Sequence, residues 1–554
     1  MKSLLNTMNF WVAVLTVVSL VWYHGFAHAL LQQEVHTLWL GLALTYFVFQ
    51  FVYRVRVSDA PYEFIKSNWV EGLIYLLATA LVLQITVGRF NSEGTAPAVA
   101  DAQRLAVHLM LLLISGVEMI AATSRSTFWK LPLPILLITS YVILILVGSV
   151  ILHLPMMLNG QVEPSYFQAL FTAVSASCVT GLATVNIADY YSRSGHLVIL
   201  FLIQLGGLNI LAFATYFVAR FLHVDRATLQ GEAVQEVLSL GSFTSAKRLL
   251  QRILAVAILF EGLGAAWIYY GSDYIASGPN RAFHAVFHSV SAFNNAGFTI
   301  IDGGLTNAAV QGLWGFHTAI AVLVILGGLG FATIMQVPVF IRSMGRTGLS
   351  FNSRVSLLMA AALIGAGTLL ILLMEWNADV TFAEQLHQAF FQSVTARTAG
   401  FNTAPIGMFG LPTLYLMMML MFIGASPAST GGGIKTTTFY ALIRSLGRST
   451  RAFDESIVVK AKKLLLFGIL TVVCGTAVMF ATEERFTITQ LLFEQVSAFG
   501  TVGLSTGITP QLGRASLAVI MVTMFIGRVG PLALAYLFVV PKNTGSEQET
   551  LLIG

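Results

Sequence analysis

Four stretches of the sequence decide the fold, reading FTAVSASCVTG at 171–181, FHSVSAFNNAG at 287–297, FFQSVTARTAG at 390–400 and FEQVSAFGTVG at 493–503. Each begins with phenylalanine and ends ten positions later in glycine, and these glycines recur every 103 to 116 residues. Self-similarity at a nearly fixed period is the signature of a structure built from repeated units. The sequence therefore predicts four copies of one supersecondary unit.

A second glycine-containing motif follows each stretch. It reads LGGL at 205–208, LGGLG at 326–330, IGAS at 423–426 and IGRVG at 526–530. The spacing between the two motifs fits a re-entrant loop followed by a descending helix. Loops at membrane depth must be lined by protein or by water, because lipid cannot satisfy their backbone polar groups.

The composition excludes a soluble fold. Of the 554 residues, 56% are hydrophobic and 10% are charged, and the mean hydropathy is +0.79. Soluble domains carry roughly a quarter charged residues. Apolar stretches of about 20 residues, the length that spans a bilayer, recur from Phe10 to Val540. With only two cysteines, the chain has no disulfide framework to stabilise it.

Charge sets the predicted topology. Four apolar segments precede residue 130, and longer ones follow, among them 312–341 and 410–443. The joints at 223–252, 341–354 and 444–463 carry thirteen Lys and Arg residues, against four in the remaining joints of the repeat region. Since basic residues mark cytoplasmic loops, we expect both termini in the cytoplasm of a bacterial-type cell membrane and the short segments on the outer side.

These patterns predict an all-α polytopic membrane protein. Four helix–pore loop–helix repeats would surround a central pore with pseudo-fourfold symmetry, preceded by about four extra transmembrane helices. The predicted parts are the extension 1–130, repeat 1 at 131–222, a linker with repeat 2 at 223–341, repeat 3 at 342–443, repeat 4 at 444–541 and a cytoplasmic tail at 542–554.

The four recurring glycines are the candidate binding site. Glycine adopts positive φ without steric cost, which lets neighbouring carbonyls turn toward an axis, and a ring of carbonyl oxygens can replace the hydration shell of K⁺. Tight helix packing would also explain one glycine, but recurrence at four matching positions favours a filter. The predicted filter residues are Thr180, Gly181, Ala296, Gly297, Ala399, Gly400, Val502 and Gly503.

Residues 424–435, reading GASPASTGGGIK, interrupt an apolar segment and cannot form a lipid-facing helix. A simple helix break or an extramembrane turn is the alternative to a functional role.

Arg528 lies near the centre of the last apolar segment, where a charge usually faces a cavity or a partner. Arg397 adjoins the third glycine motif, and bracing of that loop is favoured because a cation on the axis would oppose K⁺.

The motifs resemble the Ktr/Trk/HKT superfamily of potassium transporters, and most of all the Ktr-type potassium-translocating membrane subunit. The resemblance covers about residues 130–541. It rests on CVTGL at 178–182 (loop 1), NNAGF at 294–298 (loop 2), RTAGFNT at 397–403 (loop 3), GTVGLSTG at 500–507 (loop 4), STGGGIKTTT at 429–438 and IGRVGP at 526–531.

The resemblance implies a K⁺ filter, with Gly181 giving K⁺ preference because serine there accompanies Na⁺ permeation in the family. It implies an intramembrane gating loop contacted by Arg528 and containing Gly424, Ser426, Ser429, Thr430, Gly431, Gly432, Gly433 and Lys435. It further implies a homodimer, Na⁺ as a possible activator, and a cytoplasmic RCK-type regulatory subunit that binds a nucleotide.

Other functions find little support in the sequence. The match to G-x-S-x-G at 503–507 follows a predicted pore helix and lacks the strand-turn-helix context of a hydrolase. No nucleotide-binding motif is present, and the basic residues lie between apolar segments, so lipids and not nucleic acid are the expected surroundings.

An ion-coupled secondary transporter of another solute is the alternative, with Glu261 as its coupling site. A buried, hydrogen-bonded carboxyl is the simpler interpretation of Glu261.

Overall fold

The computed structural model describes residues 2–26, 30–58, 60–67, 69–90, 133–160, 162–208, 243–271, 279–346, 348–446 and 455–530, with 106–108, 110–111, 114–116 and 118. Within these ranges the chain is helical, and β pairing is limited to two isolated bridges. The predicted all-α fold is confirmed. The tail at 542–554, much of the linker and Pro531 lie outside the described residues.

The chain divides into two units. One contains Met1–Lys130, Leu154–Met156 and Arg220–His223, and the other contains the rest. The helices of the first unit are Lys2–Gly25, Leu30–Val57, Pro61–Ser67 and Trp69–Phe90.

A partly buried ionic cluster lies inside this first unit, and its most buried member is Glu118. Arg54 Nη2 contacts Glu71 Oε1 at 2.6 Å and Glu118 Oε1 at 2.8 Å. Asn9 Nδ2 donates to the other oxygen of Glu118 at 3.1 Å. Charged side chains at membrane depth require such partners.

The second unit contains three sets of four helices. Long first helices are Leu133–Leu152, Phe243–Gly271, Phe351–Met374 and Glu455–Thr482. Short helices precede the loops at Tyr166–Ser177, Pro279–Phe293, Phe382–Thr395 and Ile488–Phe499. Return helices are Arg193–Gly207, Trp314–Gly328, Leu411–Phe422 and Arg514–Val529. Further helices are Ile187–Tyr190, Ala308–Gln311, Phe331–Arg342 and Thr436–Leu446.

Four helices of the chain's described parts have the length and exposure of membrane spans. Among the described residues, four are long and apolar enough to cross: Val35–Val57, Gln251–Gly271, Phe351–Met374 and Ile457–Thr482. Their large apolar side chains are often exposed, as at Leu358 (61%) and Leu373 (64%). Because exposed apolar surface of this extent is unstable in water, these faces contact lipid.

The C-terminal halves of the short helices are buried, and two of these helices begin at a complete cap. Thr381 with Glu384, and Thr487 with Gln490, form complete capping boxes, which satisfy backbone amides at a helix start. Each short helix leads directly into one of the four loops.

The structure corrects one predicted continuous segment, 312–341, and the other long segment is broken where residues 424–435 interrupt it. The segment at 312–341 bends by 101° between Trp314–Gly328 and Phe331–Arg342, and the segment at 410–443 loses its helix after Phe422. Gly330 has φ of 85° at the first break, and the amide of Phe331 donates to the carbonyl of Ala428 at 3.1 Å. Hydropathy does not reveal the break at Gly330 because the residues on both sides of it are equally apolar.

The second glycine motif marks the end of each return helix. In three repeats, a side chain on this glycine would overlap the last carbonyl of the short helix in the same repeat: Gly206 faces Ser177, Gly327 faces Phe293 and Gly527 faces Phe499. Glycine here therefore permits close backbone approach. Pseudo-fourfold symmetry itself stays a prediction.

Candidate functional site

The four loops share an unusual backbone conformation. The predicted glycines all have positive φ, at 91° for Gly181, 70° for Gly297, 78° for Gly400 and 93° for Gly503. The residue two positions earlier also has positive φ in every loop: Val179 (56°), Asn295 (58°), Thr398 (73°) and Thr501 (47°). Because three of these are β-branched, the conformation is strained and must be held by its surroundings.

Hydrogen bonds at the end of each short helix hold this conformation. In loop 1, the amide of Val179 donates to the carbonyl of Ala176 at 3.1 Å and that of Thr180 donates to Ser175 at 2.8 Å. Loops 2 and 4 repeat both bonds at equivalent positions. This is the Schellman arrangement, which normally uses glycine at the left-handed position. Sequence reasoning missed these positions because glycine is absent from them.

Loop 3 is offset by one residue. Its amides at Ala399 and Gly400 both donate to the carbonyl of Thr395, at 3.0 and 3.4 Å. The Thr395 hydroxyl donates to the carbonyl of Phe401 at 2.6 Å. In loop 2 the corresponding hydroxyl is that of Ser291, which donates to Phe298 at 2.8 Å. Aligning the repeats on their glycines hides this offset, because the Val-Thr-Ala triplet at 394–396 lies one residue closer to its glycine.

The glycines meet in a closed cycle. A Cβ on Gly181 would overlap the carbonyl oxygen of Ala296, and one on Gly297 would overlap that of Ala399. The cycle continues from Gly400 to Val502 and returns from Gly503 to Thr180. All eight predicted filter residues are therefore neighbours. Glycine is required at each position both for its positive φ and because the next loop leaves no room for a side chain.

The surroundings of the cycle favour a cation. The carboxyl ends of all four short helices lead into it, and a helix C-terminus carries a partial negative charge of roughly half an elementary charge. Four such ends directed at one place attract positive ions.

The 424–435 segment is hydrogen-bonded to the break between Trp314–Gly328 and Phe331–Arg342 in the second repeat. The amide of Ser426 donates to the carbonyl of Gly328 at 3.0 Å, and the amide of Thr430 donates to that of Gly327 at 3.2 Å. Its glycines lie against the left-handed residues of the loops: a Cβ on Gly431 would overlap the Thr398 hydroxyl, and one on Gly432 would overlap that of Thr501. The segment is thus a packed irregular element beside the loops.

Arg528 contacts this segment through hydrogen bonds of its guanidinium group. Its guanidinium donates to the carbonyls of Thr430 and Gly206 and, at 3.2 Å, to the Tyr141 hydroxyl. Lys435 Nζ donates to the carbonyl of Gly431 at 2.7 Å. Two cations thereby hold successive carbonyls of the segment. Tyr141 was missed by sequence reasoning because a single tyrosine in an apolar run carries little signal.

The surroundings of Arg397 differ from those expected of a residue that braces loop 3. It is 7% exposed, and its Nε has no hydrogen-bond partner among the described residues. It lines a small cavity with Gly328, Val394 and Ala425. No described hydrogen bond joins its guanidinium to a loop carbonyl, so the contacts lend no support to bracing.

A recurring hydrogen bond of another kind braces three of the loops. A polar residue of the short helix bonds a hydroxyl eleven positions later: His288 Nε2 lies 2.9 Å from Thr299 Oγ1, and Gln392 Nε2 donates to Thr403 Oγ1 at 3.4 Å. In repeat 4 the residue is Glu494, whose Oε1 accepts from Ser505 Oγ at 2.7 Å.

Glu494 is fully buried and accepts several hydrogen bonds. Besides Ser505, its donors are the Thr506 amide at 2.9 Å, the Thr506 hydroxyl at 3.3 Å and the Thr509 hydroxyl at 2.6 Å. A carboxylate has only acceptors, so it satisfies all of these donors at once. Sequence reasoning missed Glu494 because no local pattern pairs this residue with hydroxyl groups eleven to fifteen positions later.

Replacing Glu494 with Gln is expected to weaken loop 4. The amide group would direct N–H donors at existing donors, and a buried polar group left unsatisfied costs about 1–3 kcal/mol. We expect a lower apparent Tm of the detergent-solubilised protein and reduced ion uptake. Ile488→Ala, at an exposed position of the same helix (59%), is the control. An unchanged Tm and uptake for Glu494→Gln would contradict this role.

Glu261 has side-chain partners in the interior. Its carboxylate accepts from Asn294 Nδ2 at 3.0 Å and from Gln204 Nε2 at 3.2 Å. Ser289 donates to its backbone carbonyl at 2.6 Å. These contacts match the simpler interpretation, a buried and hydrogen-bonded carboxyl beside loop 2.

Comparison with known proteins places this geometry in a family. The TrkH family, described as cation transport proteins, matches residues 107–548. Ktr system potassium uptake protein B of Vibrio alginolyticus is 32% identical over 438 residues, which cover 76% of this chain and 95% of the relative. Potassium/sodium uptake protein NtpJ of Enterococcus hirae is 32% identical over 444 residues, covering 76% and 96%.

The fold is also similar to a solved structure. The crystal structure of the potassium transporter TrkH from Vibrio parahaemolyticus superposes with a TM-score of 0.60 at 18% identity, covering 84% of this chain and 97% of that one. At this identity the likeness concerns the fold alone. The family match extends over both the loops and the 424–435 segment. This chain is therefore a membrane protein of the Ktr/TrkH family of cation transporters.

Proposed function

We propose that this chain carries K⁺ into the cell through a pore whose selectivity filter is formed by the four glycines and the residues before them. The carbonyls of Thr180, Ala296, Ala399 and Val502 supply the oxygen ligands for dehydrated K⁺. The observation that carries the proposal is the closed cycle, in which each glycine contacts the carbonyl before the next. The potassium uptake named in the relatives agrees with it.

The 424–435 segment is proposed to be the gate. Gly431 and Gly432 pack against loops 3 and 4, and Arg528 holds Thr430 while also bonding the carbonyl of Gly206. An irregular segment so placed obstructs an ion leaving the filter toward the cytoplasm. Its glycines allow it to move, and its bonds to Arg528 set the energy of that movement.

Regulation and assembly are proposed from the family. The functional unit is a homodimer with one pore per protomer, and a cytoplasmic nucleotide-binding subunit of RCK type controls the gate. The basic inner joints, which include Arg342, Arg444 and Lys460, provide a docking surface for it. Na⁺ is a possible activator, and both termini face the cytoplasm.

Uptake of Rb⁺ into proteoliposomes tests this function. We expect saturable uptake that K⁺ inhibits strongly, Na⁺ inhibits weakly and organic solutes do not affect. Because a closed gate could mask uptake, the assay is repeated with residues 428–432 deleted. Folded protein of both forms that takes up no Rb⁺, or uptake that requires an organic solute, would overturn the proposal.

Glu261→Gln separates this function from a coupled transporter. The filter does not use the Glu261 charge, so Rb⁺ uptake by the folded variant should keep the wild-type response to an imposed Na⁺ or H⁺ gradient. If Glu261 were a coupling site, its replacement would instead abolish the dependence of uptake on the driving ion. Comparison of uptake with and without an imposed Na⁺ or H⁺ gradient decides between them, and loss of a gradient effect present in wild type would favour the coupled transporter.

A further inference from the structure

Asn295 differs from its counterparts in the other loops. It is fully buried and stands at the left-handed position of loop 2, where loops 1, 3 and 4 have Val179, Thr398 and Thr501. Its side chain joins two other elements. Nδ2 donates to Thr398 Oγ1 at 3.2 Å, and Oδ1 accepts from Thr430 Oγ1 at 3.2 Å. One amide therefore connects loop 2, loop 3 and the 424–435 segment.

Within the 424–435 segment, Thr430 is the residue that contacts Asn295. Its hydroxyl also lies 3.2 Å from the carbonyl oxygen of Phe293, the last residue of the second short helix. Its amide donates to Gly327 at 3.2 Å, and its carbonyl accepts from Arg528. Displacing Thr430 therefore breaks the contact with Arg528 and the contact with Asn295 together.

The backbone of Asn295 bears directly on the filter. Its φ of 58° and the bond from its amide to Ala292 at 3.0 Å set the direction of the next peptide units. These units contain Ala296 and Gly297. Asparagine tolerates the left-handed region better than most residues, but its side chain is free to rotate unless it is held. The two hydrogen bonds to Thr398 and Thr430 hold it.

We propose that Asn295 and Thr430 couple the filter to the gate, so that the closed segment increases the affinity of the filter for K⁺. This inference rests on the proposed function. When Thr430 moves away, Asn295 loses one of its two anchors and loop 2 holds its carbonyls less firmly. Coupling between two sites is reciprocal, so K⁺ in the filter stabilises the closed segment by the same factor.

The test is a double-mutant cycle on Rb⁺ binding to the purified full-length protein, measured by calorimetry. Asn295→Gly keeps the left-handed backbone and removes the side chain, and Thr430→Val keeps the shape and removes the hydroxyl. Each change should weaken Rb⁺ binding about fivefold, the equivalent of one neutral hydrogen bond of about 1 kcal/mol. The double variant should lose clearly less than the product of the two single losses, because both changes remove the same Asn295–Thr430 hydrogen bond.

Two further variants separate coupling from damage to the fold. Thr430→Ser restores the hydroxyl and should bind Rb⁺ as wild type does. Thr306→Val removes a hydroxyl whose one hydrogen bond among the described residues is to the carbonyl of Gly303, at 2.6 Å, and should leave binding unchanged. Unaltered affinity in either single variant, losses that multiply to about 25-fold, or failure of Thr430→Ser to restore binding would overturn the coupling.

The proposed function is tested separately by Gly181→Ser. No described hydrogen bond joins Gly181 to Asn295 or to Thr430. If Gly181→Ser alters Rb⁺ binding while the cycle shows independent effects, the coupling alone is wrong. If Gly181→Ser leaves Rb⁺ binding and its competition by Na⁺ unchanged, the filter assignment itself is wrong.

Discussion

Gly181→Ser is expected to abolish most of the discrimination between K⁺ and Na⁺. The serine side chain would overlap the Ala296 carbonyl, and Gly181 has φ of 91°. Backbone strain of this kind costs of order 1–3 kcal/mol, which corresponds to roughly a five- to 150-fold change in an equilibrium constant. We expect the Rb⁺ to Na⁺ uptake ratio in proteoliposomes to fall by about tenfold or more, since 1.4 kcal/mol is a factor of ten.

Gly303→Ser is the matched control. Gly303 also has positive φ, at 68°, but a Cβ there would meet nothing within 4 Å. It therefore reports the cost of backbone strain without a contact between loops. Unchanged selectivity in well-folded Gly181→Ser would remove Gly181 from the filter. Equal loss of selectivity in both variants would show that the closed cycle is not what selects the ion.

Deleting residues 428–432 is expected to raise basal K⁺ flux strongly and to weaken control by a cytoplasmic partner. The deletion removes Thr430, to which Arg528 donates, and the glycines that pack on Thr398 and Thr501. Preference for K⁺ over Na⁺ should survive, because the filter glycines lie outside the deletion. Rb⁺ efflux from proteoliposomes, with Na⁺ as competitor, measures both quantities.

Arg528→Gln should raise basal flux less than the deletion. A hydrogen bond to a charged group contributes about 1.5–3 kcal/mol, and the segment itself remains. The combined variant should behave as the deletion does, since both changes act on one element. Wild-type flux in well-folded deletion protein would defeat the gate assignment. Loss of K⁺ preference would instead show that the segment supports the filter.

Arg444→Gln is the control for the arginine. Arg444 Nε donates to the Tyr440 hydroxyl at 3.2 Å, the same type of bond that Arg528 Nε makes with Tyr141 at 3.2 Å. Arg444 is exposed and has no described bond to the 424–435 segment. Basal flux without the cytoplasmic partner should be unaffected by this change.

Sequence reasoning selected the four glycines and Arg528 as candidates because each carries an unambiguous local signal. Glycine at four equivalent positions has a steric cause, and an arginine at membrane depth has an electrostatic one. The same reasoning identified the 424–435 segment, since four glycines and a proline cannot continue a lipid-facing helix.

The contacts that organise the site could not be predicted in the same way. Asn295 bonds Thr430 across more than a hundred positions of sequence, and Arg54 bonds Glu118 across 64. Pairing at such distances leaves no periodic pattern. The offset of loop 3 was hidden for a related reason, because the glycine alignment gives no weight to the position of Thr395.

The most direct measurement is the location of Rb⁺ by anomalous scattering from crystals of the protein grown in Rb⁺. The account predicts a peak inside the closed cycle, within coordination distance of the carbonyl oxygens of Thr180, Ala296, Ala399 and Val502. Gly181→Ser should reduce that peak or allow Na⁺ to displace it. An empty cycle in crystals of protein that binds Rb⁺ in solution, with the peak at another site, would contradict the account.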